Sequence, residues 1–149
     1  HARGRRILAV LGDNVIENPG EVADGARSYA AQPHGAMVFL ARVPDPERFG
    51  CPTFTREGRI AVVVEKPAKA PSPFVVVGIY LFDGRVWGII GQLAPSGRGE
   101  LEVADVVNAY AGAGDLTHRE LVGWWTDAGT PDSLLRASNL VAAQRKAAP

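Results

Sequence analysis

The chain has 149 residues, 46% apolar and 21% charged, with a formal net charge of zero. That balance excludes a disordered chain and fits one domain with its own core. Zero net charge gives no electrostatic reason for a nucleic-acid or anionic-membrane partner, and no run approaches the roughly 20 apolar residues of a membrane span.

The first predicted strand is the apolar run "RILAVLG" at residues 6–12, which ends on Asp13-Asn14. "PGEVADGARSYAAQ", residues 19–32, predicts a weak helix with a glycine inside it. A second apolar run, "GAMVFLARV", covers residues 35–43. "CPTFT" and "RIAVVVEK" (residues 59–66) flank Glu57-Gly58 and predict a β-hairpin. "VEKPAKAPSP" (64–73) is a proline-rich surface loop, and "PFVVVGIYLFD" (73–83) is another strand. Runs apolar on both faces predict strands covered on both sides.

Two further helices follow. "LEVADVVNAYAGAG", residues 101–114, places Leu101, Ala104, Val107 and Tyr110 on one face, with Gly112 or Gly114 to end it. In "GTPDSLLRASNLVAAQRKAA", Thr130 can cap, Pro131 suits the first helical position and Asp132 favours the positive end. Leu134, Leu135, Ala137, Ser138, Val141 and Ala142 then predict an apolar stripe. Strands alternating with helices make the fold class α/β, a mixed sheet flanked by helices with some antiparallel hairpin character.

Cys51 stands alone, so no internal disulfide forms, which fits a reducing, cytoplasmic setting. His1, His34 and His118 are far apart and show no zinc spacing. There is no secretory signal pattern. The opening "HARGRR" lacks an initiator Met and runs almost at once into a strand, so the chain is expected to be cut from something longer.

In open α/β sheets ligands sit at the carboxyl ends of strands. Asp13-Asn14, Glu65-Lys66, Asp83 and Asp127 fall at or near such ends. Position alone selects none of them, because Asp-Asn and Asp-Gly are common turns and Glu-Lys is a common solvated pair. In "EKP", neighbouring side chains of an extended chain point to opposite faces, so Glu65 and Lys66 share a ligand only if the chain turns there. Pro67 favours such a turn. "WWTDAGT" reads equally well as a core aromatic pair with a turn, or as a carboxylate held at a helix N-terminus where phosphates bind.

The ordered blocks "LGDN", "VPDPERFG", "VEKP", "VVGIYLFD", "PSGRGELEVADV" and "GWWTDAGTPDSLLRAS" resemble the sugar nucleotidyltransferases, most closely those that transfer a thymidylyl group to glucose 1-phosphate. The resemblance runs from Ile7 to about Ala142. It implies a partial Rossmann-like mixed sheet. It implies Mg²⁺-dependent transfer of a nucleotidyl group from dTTP, or another nucleoside triphosphate, to glucose 1-phosphate or a related sugar 1-phosphate. Pyrophosphate leaves and a nucleotide sugar forms.

By the same resemblance, Asp13 and Asp127 match the magnesium carboxylates, and Asn14 lies beside the sugar nucleotide. Gly50 matches a backbone contact to the sugar, Glu65 the acceptor of its hydroxyls, and Lys66 the cation on its phosphate. Asp13, Lys66 and Asp127 are thus the catalytic candidates. Val76 and Gly78 match the strand whose main chain lines the sugar pocket, with Tyr80 as a wall. Arg98, Glu100 and Asp105 match a mainly structural block. Val77 stands where many relatives have Thr, so a hydroxyl is missing from that strand.

The family's glycine-rich G-x-G-T-R-L-x-P-x-T loop does not occur in these 149 residues. Residues 1–149 are therefore expected to be the C-terminal portion of a single nucleotidyltransferase domain, with little or no activity alone. The alternative is a non-catalytic sugar-phosphate-binding module, or a subunit completed by another chain. A plain α/β domain without a ligand is the least favoured reading. Uncovered sheet edges would leave the isolated chain marginally stable or paired with another copy.

Overall fold

The computed structural model describes residues 4–97 and 99–147. Among the described residues eight strands run β1 (Ile7–Val10), β2 (Asn14–Ile16), β3 (Ala36–Arg42), β4 (Gly50–Phe54), β5 (Ile60–Glu65), β6 (Phe74–Phe82), β7 (Leu116–Glu120) and β8 (Trp125–Asp127). Helices α1 (Gly20–Ala30), α2 (Val86–Ile90), α3 (Val103–Gly112) and α4 (Pro131–Ala147) are set between and after them. The main sheet has four strands in the order β1-β6-β3-β7. Strand β6 is antiparallel to both neighbours, while β3 and β7 are parallel. The mixed α/β architecture expected from the sequence is the one observed. Arg98 lies outside the described residues, and no described helix is long and apolar enough to cross a membrane.

Side-chain alternation along β3 and β6 builds two cores, one on each face of the sheet. Ala36, Val38 and Leu40 of β3, with Val76 and Phe82 of β6, face α2, α3 and β5. Met37, Phe39 and Ala41, with Val75, Val77, Ile79 and Leu81, face α1 and Cys51 of β4. These two strands are covered on both sides, as their apolar runs predict. Strands β1 and β5 are not. Leu8 and Val10 of β1 are 48% and 54% exposed, and Val62 and Val64 of β5 are about 40% exposed. Among the described residues β1 has one ladder partner, β6, and β5 has one, β4, so each keeps an open face or edge.

Helix α1 comes close to the sheet at Gly25, where a Cβ would stand 2.4 Å from the Phe39 ring. The glycine that weakens this helix locally is thus what allows it to pack. Arg6 closes the end of α1 by donating to the carbonyls of Tyr29, Ala30, Gln32 and Pro33. Helix α3 starts at Val103, so Leu101 lies outside it and is 55% exposed. Its buried face is Ala104, Val106, Val107 and Tyr110. Gly114, at φ +76°, supplies the left-handed residue beyond its end.

Thr130 caps α4 as its sequence predicts. Its Oγ1 accepts from Ser133 N at 3.2 Å, and Thr130 N donates to Ser133 Oγ at 3.0 Å, a reciprocal capping box. The stripe is displaced from the predicted one. Ala137 is buried as expected and Ser133 joins it, while Leu134 and Leu135 are 55% and 63% exposed. Helix α4 meets only the small ribbon at β8 among its principal contacts, so a narrow face is enough to seat it.

Periodicity does not reveal β2, β7, β8 or α2. All four have five residues or fewer with no repeat to read, and β7 ("LTHRE") is largely polar and buries only Leu116.

Asp83 proves to be a structural residue. It is 7% exposed and accepts from Gly35 N at 2.7 Å, Tyr110 Oη at 2.8 Å, and Arg85 N and Nε at 3.0 and 2.8 Å. Burial alone would raise its carboxyl, but these hydrogen bonds prevail and hold it below the usual carboxylate range. A depressed folded value means stability that is present above the unfolded value of about 3.9 and is lost as pH falls through the folded value. Asp83→Ala strands the Gly35 and Tyr110 donors and is expected to cost about 3 kcal/mol. Urea unfolding at neutral pH measures this, and an undiminished stability would remove Asp83 from the framework.

Candidate active site

A cavity of about 540 Å³ opens on the α3 face of the sheet. Asp13, Asn14, Gly50, Glu65, Lys66, Val76, Gly78, Tyr80 and Asp127 all line it. The structure therefore gathers every residue that the motif resemblance singles out for the site. It does not gather Asp83. Strand β6 runs antiparallel to β1 and β3, so its carboxyl end lies at the far side of the sheet, beside Ile7. The strand-end rule assumes parallel strands, and β6 breaks that assumption.

Each lining residue arrives by a simple local device. Val76, Gly78 and Tyr80 alternate along β6 and so share the cavity face. The hairpin register sets Gly50 opposite Glu65. Asn108 of α3 clamps that hairpin, accepting from Val63 N at 2.7 Å and donating to Val63 O at 2.9 Å. Val77 points to the other face and is fully buried there. The hydroxyl missing at this position is therefore absent from the opposite core, not from the cavity wall.

Lys66 has φ 44°, the only positive value at a non-glycine among the described residues. This left-handed turn is what lets Glu65 and Lys66 line one cavity. Its backbone N–H donates to Phe49 O at 3.1 Å, which ties the turn to the strand opposite. The conformation is strained for a residue with a Cβ. Lys66→Gly is expected to be about 1 kcal/mol more stable than Lys66→Ala, because only glycine occupies this region freely. Parallel denaturant melts check it. Equal midpoints would show that the turn carries no strain.

Asp13 and Asp127 come together through the ribbon of β2 and β8. Asn14 pairs with Asp127 across it, and Ala128 N donates to Asp13 O at 2.7 Å. The point where a Cβ on Gly129 would sit is 3.3 Å from Asp13 Oδ2 and 3.6 Å from Asp127 Oδ2. Two carboxylate oxygens thus approach one small region beside the cavity. Among the described residues no group of three or more His, Cys, Asp or Glu forms a metal cage. Two carboxylates are a donor set that would suit a hard, oxygen-preferring cation.

Tyr80 is pushed up to about 12, chiefly by burial and then by the charges of Glu65 and Asp13. It remains a neutral phenol at any ordinary pH. Its ring stacks on Phe82 at 5.8 Å.

Sequence reasoning misses Arg48, Phe49 and Trp125, which also line the cavity. The Arg48 guanidinium lies 5.3 Å from the centre of the Phe49 ring and pairs with Asp45 at 3.0 Å. Trp124 and Trp125 are not a core pair, since both are only half-buried. Trp125 meets Phe49 edge to face at 5.1 Å and donates from Nε1 to Asn14 Oδ1 at 2.8 Å. No local pattern announces these contacts; the "ERFG" and "WWTD" blocks were their only signal.

A mixed α/β sheet with two converging carboxylates and a lysine at one polar cavity is an architecture suited to phosphate-bearing ligands. The nucleotidyl transferase family model matches residues 1–144, and the chain belongs to that family. It is 40% identical over 141 residues to the glucose-1-phosphate thymidylyltransferase of Xanthomonas campestris pv. campestris, covering 93% of this chain and 47% of the relative. A crystal structure from Bacillus anthracis, described as a glucose-1-phosphate thymidylyltransferase in complex with a sucrose, superposes with a TM-score of 0.85. It is 42% identical, and the match covers 93% of this chain and 55% of that one. A UDP-glucose pyrophosphorylase complexed with UDP-glucose shares the fold at a TM-score of 0.83 and 20% identity, over 95% of this chain and 57% of that one. The chain spans about half the length of these relatives.

Proposed function

We propose that the chain is the sugar-phosphate-binding and metal-binding portion of a sugar-1-phosphate nucleotidyltransferase, with glucose 1-phosphate and dTTP as the first substrates to test. The observation that carries this reading is one cavity lined by Asp13, Asp127, Glu65 and Lys66. Lys66 binds and orients the phosphate of the sugar 1-phosphate, and Glu65 accepts from sugar hydroxyls. Val76, Gly78 and Tyr80 form the wall against which the sugar lies. Asp13 and Asp127 are the residues that would hold Mg²⁺, which when bound lowers the repulsion between two phosphate-bearing reactants. The protein's part is positioning and charge stabilisation, with no covalent enzyme intermediate.

The triphosphate cradle is supplied from elsewhere in this reading, because the G-x-G-T-R loop does not occur in the 149 residues and the chain matches about half of its relatives. The same two facts favour a second reading, a sugar-phosphate-binding subunit completed by another polypeptide. Pyrophosphate release separates the readings when nucleoside triphosphates and sugar 1-phosphates are offered as a panel. The chain is tested alone and then with a relative's glycine-rich half joined to it. Activity only in the joined protein supports the proposal. Binding of glucose 1-phosphate without turnover in either form supports the second reading, and neither binding nor turnover overturns both.

A further inference from the structure

The geometry assigns Asn14 and Trp125 a positioning role: through the Asn14 carboxamide, the Trp125 indole holds Asp13 in the orientation in which it meets Asp127. This rests on the two-carboxylate reading above. Asn14 Oδ1 accepts from Gly78 N at 2.9 Å and from Trp125 Nε1 at 2.8 Å, while Asn14 Nδ2 donates to Asp13 Oδ1 at 2.8 Å. A backbone N–H and an indole N–H can only donate. A flipped carboxamide would turn its NH₂ against both of them, so this network permits one orientation. The Asn14 NH₂ is thereby fixed on Asp13 Oδ1, and Oδ2 is left as the oxygen facing Asp127 beside Gly129.

The surroundings hold each link in place. Phe49 packs edge to face on Trp125 at 73°, which sets the indole plane. Gly78 admits Asn14 because a Cβ there would stand 2.4 Å from Asn14 Nδ2. Gly78 O accepts from Leu11 N at 2.8 Å, which fixes the backbone on the other side. Asn14 and Trp125, 111 positions apart, are joined across the ribbon that also carries the two carboxylates. Partners that orient a metal-binding side chain in this way tune metal affinity without touching the ion.

The test uses Mn²⁺ as a probe for Mg²⁺, with the free ion counted by electron paramagnetic resonance in solutions of the 149-residue chain. Asp13→Asn and Asp127→Asn should each abolish or greatly weaken uptake. Trp125→Phe keeps a ring against Phe49 but has no N–H, and should weaken Mn²⁺ binding roughly 10-fold. Asn14→Ala should weaken it at least as much, and adding W125F to N14A should cost nothing more, because the indole acts through Asn14. Thermal melts confirm that each variant is folded, and N14A carries the test if W125F melts below the assay temperature. Wild-type Mn²⁺ affinity in N14A or in folded W125F, with binding lost in D13N, overturns the positioning role and leaves the metal reading standing. Additive losses in the double variant overturn the route through Asn14. Unchanged uptake in D13N and D127N, or none in the wild type, overturns the metal reading and this inference with it.

Discussion

Asp127→Asn, in the protein joined to a glycine-rich half, is expected to lower the proposed nucleotidyl transfer roughly 10²–10³-fold with little change in the melting midpoint. The substitution replaces a carboxylate by an amide of the same shape. The backbone pairing of Asn14 with Asp127 survives, as does the hydrogen bond from Ala128 N to Asp13 O. What is lost is one of two anionic oxygens converging beside Gly129. The change should therefore fall on kcat at saturating magnesium, not on the affinity for free sugar 1-phosphate, which the proposed function gives to Glu65 and Lys66. Steady-state kinetics across a magnesium series make the measurement. Turnover equal to wild type at every concentration would sink the two-carboxylate reading.

The second large effect concerns the isolated chain. Its melting midpoint should rise with protein concentration, and sedimentation should show self-association. Strand β1 has a ladder partner on one side among the described residues. Leu8 and Val10 stand on its open face, and Leu11 beyond it is 47% exposed. A free strand edge beside exposed apolar side chains is a template for pairing. Val10→Lys places a charge on that surface and should return the chain to a monomer whose midpoint no longer depends on concentration. A wild-type monomer with a cooperative, concentration-independent melt would contradict this expectation.

The two core strands, the hairpin and the cap of α4 were legible because each follows from residues near one another in sequence. Apolar runs identify β3 and β6, Glu57-Gly58 turns the hairpin, and Thr130 caps with Ser133. The ribbon of β2 and β8 was not legible, because three-residue strands have no period to detect and their pairing joins distant segments. The stripe on α4 was right at Ala137 but misplaced at Leu134 and Leu135, because two leucines weigh more in a hydropathy reading than the small Ser133 that packs.

The site divides in the same way. The motif blocks, taken together, determined which residue types belong at the cavity and which chemistry to test. Position at strand ends did not, since it ranked Asp83 with Asp13 and Asp127. Tertiary structure decided that question through strand direction: antiparallel β6 carries Asp83 away from the cavity and into a buried network. It also turned Val77 away from the cavity, brought Glu65 and Lys66 to one side through the left-handed turn at Lys66, and set Trp125 on Asn14. Composition and local pattern determine which segments become strands and helices, because hydrogen bonding and side-chain period are local. Which face a side chain reaches, and which distant partner fixes it there, depends on register and packing between segments that no single stretch of sequence contains.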